Sequence, residues 1–428
     1  MAKSQFHHYI PRFILKTFSD DFTLDSTDCK YFASISTEDK GDGKGKGKGN
    51  RKGKVKGRGK VKGASSKSNK SNRGTAQSNN HYIKVYQVQS RTTVLTDIGR
   101  AFGVVNLYRE EAEEDCMKFE RLLSVFEGES STFIRRIWTG EDLSLTRAQL
   151  ERMKKFLIIM MYRSESRRDQ YNKEDYDIEV AISARKHASH HSIARIRDIW
   201  FKNLQWLIET PLSDLMKEYN KVLEMVMTRP LTDQGDLKWP IHICELKEFG
   251  VMAENYMCIW EAEEGTEFIL SEGGFGAWEG DKGVKFHNIF VVSPRYAIVL
   301  VLRSYMFGMT FGSLRKSYFG EKLHANPETV YVKGHPPEDF TAESHFTPSD
   351  IFKYKRIKVP KSDVFFVNCI FLDARDKHLT YRSPISMLKS LKYYDMVKEE
   401  RFTFQHDYTA LKRELFADLN RTHRPEER

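Results

Sequence analysis

The sequence of 428 residues has few cysteines and places them far apart. No two of the five form a C-x-x-C pair: they are Cys29, Cys116, Cys244, Cys258 and Cys369. This spacing excludes a zinc ribbon and a dense disulfide framework. Unpaired thiols are typical of cytoplasmic or nuclear proteins, and we expect one of these two locations.

Long hydrophobic runs are also lacking. The most apolar short run, residues 156–161, is far shorter than the roughly 20 residues that span a bilayer. Residues 1–8 carry no apolar segment of a secretory signal. We therefore expect no membrane partner.

Familiar catalytic signatures are missing as well. The sequence contains no G-x-S-x-G, H-E-x-x-H, Walker or G-x-G-x-x-G element. Residues 273–276 are rich in glycine, but they follow a strand pattern without a helix, which indicates a turn. The sequence therefore identifies no cofactor and no metal site.

The positive net charge of +10 is concentrated in one segment. Residues 40–73 hold 14 Lys and Arg against the single acid Asp42, a net charge of +13. All other residues together carry about −3, because +13 must be offset to leave +10. Any affinity for polyanions inferred from the overall charge belongs to this segment alone.

The basic segment lies in a longer low-complexity stretch of Gly, Lys, Arg, Ser and Asn. Such a composition cannot offset the entropy of folding, so residues 38–80 are predicted to be a disordered insert. Its basic residues are candidates for nucleic-acid contacts: Lys44, Lys46, Lys48, Arg51, Lys52, Lys54, Lys56, Arg58, Lys60 and Lys62. The insert has no aromatic residue for base stacking, so a nucleic acid or an acidic partner would bind without sequence preference.

The periodicity of apolar residues predicts an α+β protein. We divide it into a lead-in with a short helix and strand (1–37), the insert (38–80), a mainly helical region (81–230), an antiparallel β-rich region (231–383) and a helical tail (384–428). Residues 81–88 alternate as a strand, and we expect them to pair with a strand at residues 29–35. Residues 256–262 and 267–271 are predicted to form a hairpin, and residues 364–372 a late strand.

The helices have equally specific signals. Apolar spacing predicts helices at residues 110–127, 174–209 and 212–227. Thr146 and Gln149 form the pattern of a capping box that opens a further helix. In the tail, helices are predicted at residues 384–400 and 408–419.

The first candidate site is His8 and Tyr9, which lie three and two residues before Pro11. Proline suits the first position of a helix, so the free N–H groups of that helix would face these two side chains. His8 and Tyr9 are therefore candidates for binding an anion or transferring a proton. The alternative is that both only pack beneath the helix.

The second candidate joins two helices. Glu120 and Glu127 are two turns apart on one helical face, and Arg163 and Arg167 extend the apolar stripe of the next helix. If the helices pack, a glutamate meets an arginine in an ion pair. The pair is either structural, or it holds an acid–base or metal-binding cluster in place.

A third candidate is the run His187, His190 and His191. Histidines three or four residues apart can chelate a metal on one helical face. The surrounding residues are polar and basic, and this favours a solvated surface instead.

The N-terminal residues resemble the family known as domain of unknown function 4238. His8, Tyr9, Pro11, Leu15 and Phe18 match its opening element, His-Tyr-x-Pro-x-x-x-Leu-x-x-Phe. Weaker matches follow in order: residues 81–86, 106–108, the helix of the paired glutamates, 163–168, 268–272 and 291–295. Where the family has Asp-Asn-Pro, this sequence has Glu at position 272 followed by two glycines. The resemblance implies no known activity, but it groups His8, Tyr9, Glu120, Glu127 and Arg163 as one catalytic hypothesis.

Three functional hypotheses remain open. The cluster is a structural scaffold of Glu–Arg pairs, or it belongs to a metal-assisted hydrolase or nuclease-like enzyme. In the third, the chain is an interaction protein tethered to nucleic acid by its insert. The alternative for the insert is a lysine-rich linker with no partner.

Overall fold

A computed structural model shows the arrangement of the chain outside the basic segment. It describes residues 6–23, 81–105, 107, 118–164, 167–168, 185, 188–193, 196–228, 242–273, 275–281, 284–302, 317–320, 323–325, 327–332, 347–374 and 377–422. Met1–Phe22 and His81–Arg428 form one compact unit, and Thr23–Asn80 another, of which only Thr23 is described. The predicted insert and the strand expected at residues 29–35 lie outside the described residues.

The described strands are short, and most pair in an antiparallel manner. They are β1 Phe6–His8, β2 Tyr82–Gln87, β3 Thr92–Asp97, β4 Gly103–Val105, β5 Leu143–Thr146, β6 Tyr256–Ala262, β7 Leu270–Ser271, β8 Phe275–Asp281, β9 Val284–Val291, β10 Tyr296–Val301, β11 Glu328–Val330, β12 Ile351–Tyr354, β13 Arg356–Val359 and β14 His378–Tyr381.

The described helices lie before, between and after groups of these strands along the chain. They are α1 Arg12–Lys16, α2 Lys118–Trp138, α3 Arg147–Tyr162, α4 Ile196–Glu209, α5 Leu212–Thr228, α6 Ile243–Glu254, α7 Lys361–Leu372, α8 Pro384–Arg401 and α9 Thr409–Thr422. Among them, none combines the length and the apolar character needed to cross a membrane.

The central sheet has the strand order β13-β6-β10-β9-β8. Every residue of β10 is buried, which fits its continuous apolar sequence. The pairs are antiparallel except for β13, which lies parallel to β6. The sequence predicts two strands at residues 285–292 and 297–302, split by Ser293, Pro294 and Arg295, and β9 and β10 confirm both.

Helix α3 packs on this sheet at β8, where a glycine allows the close approach. Gly276 has a φ of +96°, and a Cβ atom there would lie 2.6 Å from the Cγ of Met161. A side chain would therefore be both strained and too close to the helix. The rings of Phe156 and Phe275 meet across the same interface at 6.5 Å.

The start of α3 is set by the predicted capping box, which is confirmed. The Thr146 hydroxyl accepts from the Gln149 N–H, and the Gln149 side chain accepts from the Thr146 N–H. Farther along α3, Lys154 donates to the Ala253 carbonyl near the end of α6. Lys155 donates to the carbonyls of Ile208 and Thr210 at the end of α4. Cations that bind terminal carbonyls stabilise both of these helices.

A second sheet has the order β3-β2-β14-β7. Both edges of β2 are occupied, by β3 and by β14, so its predicted pairing with residues 29–35 is wrong. The predicted hairpin of residues 256–262 and 267–271 is also wrong, because β6 lies in the central sheet whereas β7 pairs with β14. The sequence of a short apolar strand does not identify its partner strand, because several pairings and registers bury the same side chains.

Residues 364–372 form the helix α7 instead of the predicted strand. Their run of apolar residues hides any helical period, because the helix is buried on most of its surface. Cys369 lies within it and is a free thiol, as is Cys258 on β6. The helices predicted at residues 212–227, 384–400 and 408–419 are confirmed. The helix predicted at residues 174–209 is wrong at residues 191–193, which form a turn with a φ of +55° at Ser192, and α4 begins only at Ile196. Helix α2 extends eleven residues beyond position 127 to Trp138.

The described residues also form two smaller sheets, β1-β4 and β11-β12-β5. Helices and mainly antiparallel sheets together confirm the α+β class. The division into a helical and a β-rich half stays a prediction, as do the five predicted regions.

Candidate functional site

Strand β1 and the residue that follows it place His7, His8 and Tyr9 on two faces. The strand pairs antiparallel with β4, and the Tyr9 N–H continues this ladder by donating to the Phe102 carbonyl. Because side chains alternate along extended chain, His7 and Tyr9 point to one face and His8 to the other. Backbone groups alternate in the same way, so the His8 carbonyl points away from β4.

Arg163 satisfies that outward carbonyl. It ends α3 as the C-cap residue, and its guanidinium donates to the His8 carbonyl and to the Glu127 carboxylate. Only 2% of Arg163 is exposed. The Glu–Arg pair that the sequence predicted between the two helices is thus present as Glu127 and Arg163, and it also anchors β1.

Glu120 lies on α2 two helical turns before Glu127, and its side chain faces His7. Its Oε1 is 3.6 Å from the Nε2 of His7, and 23% of the glutamate side chain is exposed against 4% of the histidine. This Oε1 is buried and accepts no hydrogen bond from the described residues. The arrangement is a loose carboxyl–imidazole pair that is open to solvent on the glutamate side.

The environment shifts the pKa of both groups. Burial raises the pKa of Glu120, Arg163 opposes this shift, and the Glu127 charge adds to it. Burial and the Arg163 charge lower the pKa of His7. Since a carboxyl ordinarily titrates below an imidazole, the two shifts bring the pKa values of the pair closer together.

His8 does not face Glu120, although the sequence hypothesis gave it the acid–base role. Its Nδ1 hydrogen-bonds the Ala101 carbonyl at 3.0 Å, on the other face of β1. Burial lowers its pKa to about 4, against a smaller opposing effect of that hydrogen bond. The histidine that meets a carboxylate of α2 is therefore His7, and period-two alternation from Tyr9 was the signal that could have identified it.

Tyr9 makes a separate contact with the residue that departs from the family pattern. Its hydroxyl donates to Glu272 Oε1 at 3.0 Å. The Nδ1 of His378 hydrogen-bonds the same oxygen, and the Lys377 N–H donates to Oε2 at 2.8 Å. Glu272 therefore keeps a carboxylate where the family has Asp, with one more methylene group.

Arg167 has partners other than the paired glutamates. It donates to Glu248 of α6 and lies over the ring of Tyr162. Glu248 also accepts from the Tyr162 hydroxyl at 2.8 Å and from Lys285 at 2.7 Å. Burial raises the pKa of Glu248, but the charges of Arg167 and Lys285 outweigh it and leave the pKa lowered. This second network was not predicted.

A buried histidine in the central sheet was also missed. The Nδ1 of His287 bonds Glu279 at 2.8 Å, and the hydroxyl of Ser317 donates to the same carboxylate oxygen at 3.0 Å. The ring of His324 stacks on His287 at 5.1 Å. Burial lowers the pKa of His324 to about 4. Isolated residues in strand and loop patterns gave no sequence signal for this cluster.

The residues that could hold a metal do not converge in the described part of the chain. No group of three or more His, Cys, Asp or Glu side chains there has the required geometry. His190 and His191 touch edge to face at 5.1 Å, and His187 lies outside the described residues. The ten basic residues proposed to bind nucleic acid, from Lys44 to Lys62, lie outside them as well.

Comparison with known proteins places the chain in a family. No curated protein and no solved structure matches it. One family model, described as a protein of unknown function (DUF4238), matches residues 7–374. This range holds β1, α2, α3 and Glu272, and it covers most of the 428 residues. The chain therefore belongs to the DUF4238 family of proteins of unknown function.

Proposed function

We propose that the chain is a hydrolase in which Glu120 and His7 form the acid–base pair. The observation that carries this proposal is the 3.6 Å approach of Glu120 Oε1 and His7 Nε2. Catalytic contacts of this kind are often long without substrate and shorten when it binds. The opposite directions of the two pKa shifts support the same role, because proton transfer is easiest between groups of similar pKa.

The two residues have different tasks in this proposal. Glu120 is the partly exposed member, so in its protonated form it donates a proton to the leaving group of a substrate. His7 is almost fully buried and holds or returns the proton behind it. Arg163 is a positioning residue, because its guanidinium is engaged by Glu127 and the His8 carbonyl.

The metal-assisted form of this hypothesis has weaker support. Glu127 already pairs with Arg163, and among the described residues Glu120 and His7 supply only two ligands. A catalytic zinc site needs three protein ligands. The proposal therefore uses proton transfer by side chains alone.

The test is a matched pair of variants on α2. Glu120→Gln removes the proton-donating group, whereas Glu129→Gln makes the same change at a carboxylate that is 49% exposed and pairs with Arg152. A panel of p-nitrophenyl phosphodiesters and glycosides is offered to the full chain. Any hydrolysis that depends on the protein is expected to fall by about 100-fold in Glu120→Gln and to persist in Glu129→Gln. Equal rates in the two variants would overturn the proposal.

We also propose that the basic insert binds polyanions such as RNA. The net charge of +13 over residues 40–73 supports this second function. Attraction to phosphates weakens steeply with salt, because binding releases counterions. Replacing residues 40–73 by a Gly-Ser segment of equal length should abolish binding of labelled single-stranded RNA at low salt. Unchanged fluorescence anisotropy in that variant would contradict this function.

We propose a cytoplasmic or nuclear location for the chain. Two buried free thiols support it, and burial raises the pKa of Cys258 to about 11, which keeps this thiol unreactive. A fluorescent fusion should therefore be found in one of these compartments. Its appearance in the secretory pathway would contradict the proposal.

A further inference from the structure

Glu272 collects three hydrogen bonds from separate parts of the chain. The Tyr9 hydroxyl and the Nδ1 of His378 both meet its Oε1, and the Lys377 N–H meets its Oε2. Only 6% of Glu272 is exposed. Three donors on one buried carboxylate fix its orientation.

This contact also fixes the tautomer and the direction of the His378 ring. An ionised carboxylate can only accept, so the Nδ1 of His378 carries the hydrogen and Nε2 keeps its lone pair. The ring of Phe102 lies edge to face at 6.3 Å and limits rotation further. His378 begins β14, and 36% of its side chain is exposed. A basic nitrogen is thus held in place beside solvent by a buried carboxylate.

We propose that His378 is a general base of this protein, oriented by Glu272, and that it activates water against a neutral ester. Tyr9 and the Lys377 N–H are positioning groups, because both donate to the carboxylate of this dyad. The negative charge of Glu272 behind the ring disfavours anionic substrates and stabilises the imidazolium that forms. The site uses neither Glu120 nor His7, so it is independent of the acid–base pair.

The proton and electron balance of the step is simple. Nε2 takes a proton from water while the water oxygen bonds to the acyl carbon of the ester. The C–O bond to the alcohol then breaks, and the alcohol oxygen takes the proton from Nε2. His378 returns to its neutral form, and Glu272 remains ionised throughout.

The test uses p-nitrophenyl acetate and the full chain at pH 8. His378→Gln should lower the rate that depends on the protein by about 100-fold, and Glu272→Gln by about tenfold. His406→Gln is the control, because this partly buried histidine bonds the backbone carbonyl of Ala374 instead of a carboxylate. The control should hydrolyse the ester as fast as the wild type. A wild-type rate in His378→Gln would overturn the proposal.

A second measurement needs no variant and covers the case in which a substitution unfolds the chain. Diethyl pyrocarbonate acylates neutral imidazole nitrogens, and mass spectrometry locates the products. In the wild-type protein His378 should be modified faster than His406, because its lone pair is oriented by the carboxylate. Faster modification of His406 would overturn the proposal.

Discussion

The anchoring of β1 by Arg163 leads to a quantitative prediction for Arg163→Met. Methionine fills much of the same volume, but it donates no hydrogen bond and carries no charge. The Glu127 carboxylate then loses its cation, and the outward carbonyl of His8 loses its donor. Helix α3 should remain, since its capping box lies at the opposite end.

The expected loss of stability follows from the burial of the Arg163 guanidinium, the Glu127 carboxylate and the His8 carbonyl. Breaking a fully buried ion pair by removing one partner costs about 3–5 kcal/mol. Glu127 is 23% exposed, so water replaces part of what it loses, whereas an unsatisfied buried carbonyl adds about 1–3 kcal/mol. We therefore expect Arg163→Met to lower the free energy of unfolding by about 3 kcal/mol.

Urea unfolding followed by circular dichroism measures this change. Arg152→Met is the matched control on the same helix, because Arg152 is 59% exposed and meets Glu129 at 3.5 Å. An exposed pair contributes only about 0–1 kcal/mol. Arg163→Lys should fall between the two, since one ammonium group cannot reproduce the planar fork. A loss in Arg163→Met no larger than in Arg152→Met would refute the anchoring role.

Three further predictions concern titration and charge. Burial lowers the pKa of Lys155 to about 8, so the unfolded chain binds more protons than the folded chain between about pH 8 and 10.5. The stability of the wild type relative to Lys155→Met, measured by urea unfolding, should therefore rise with pH across this window. A difference that stays flat would show that the lysine is hydrated. Burial likewise lowers the pKa of His8 to about 4. The difference in unfolding free energy between the wild type and His8→Gln, from thermal unfolding, should therefore fall by at most about 3 kcal/mol as the pH drops from about 6.5 to 4. A constant difference would contradict this. Glu248→Gln should lower the free energy of unfolding in urea by about 2 kcal/mol at pH 7 and by less below pH 4.5. The reason is that the pKa of Glu248 is lowered in the fold, so this carboxyl stabilises the fold only while it is ionised. An equal loss at both pH values would argue against this role.

The sequence predicted the positions of single helices better than the pairing of strands. Capping chemistry located the start of α3, and apolar spacing located the helices of the tail, because these signals act within one element. Strand pairing depends on residues far apart in sequence, and β2 therefore received a wrong partner. Helix α7 was missed because burial on most sides removes the helical period from its sequence.

The same limit applies to the candidate site. The pairing of Glu127 with Arg163 followed from two helical stripes that pack together. Which histidine faces Glu120, His7 or His8, depends on the extended segment that starts at Phe6. If this segment were shifted by one residue, the side chains on its two faces would be exchanged. Glu272 and His378 are 106 residues apart and meet only through the β7–β14 pairing, so no local pattern joins them.

The pKa of the Glu120 carboxyl tests the proposed acid–base role most directly. Carbon-13 labelling of glutamate side chains, with Glu120→Gln to assign the resonance, follows this carboxyl through a pH titration by NMR. The proposed site predicts a midpoint above the ordinary value of 4.5, together with a His7 midpoint below 6.5. A Glu120 midpoint at or below 4.5 would contradict the acid–base role and leave the cluster as a scaffold for β1.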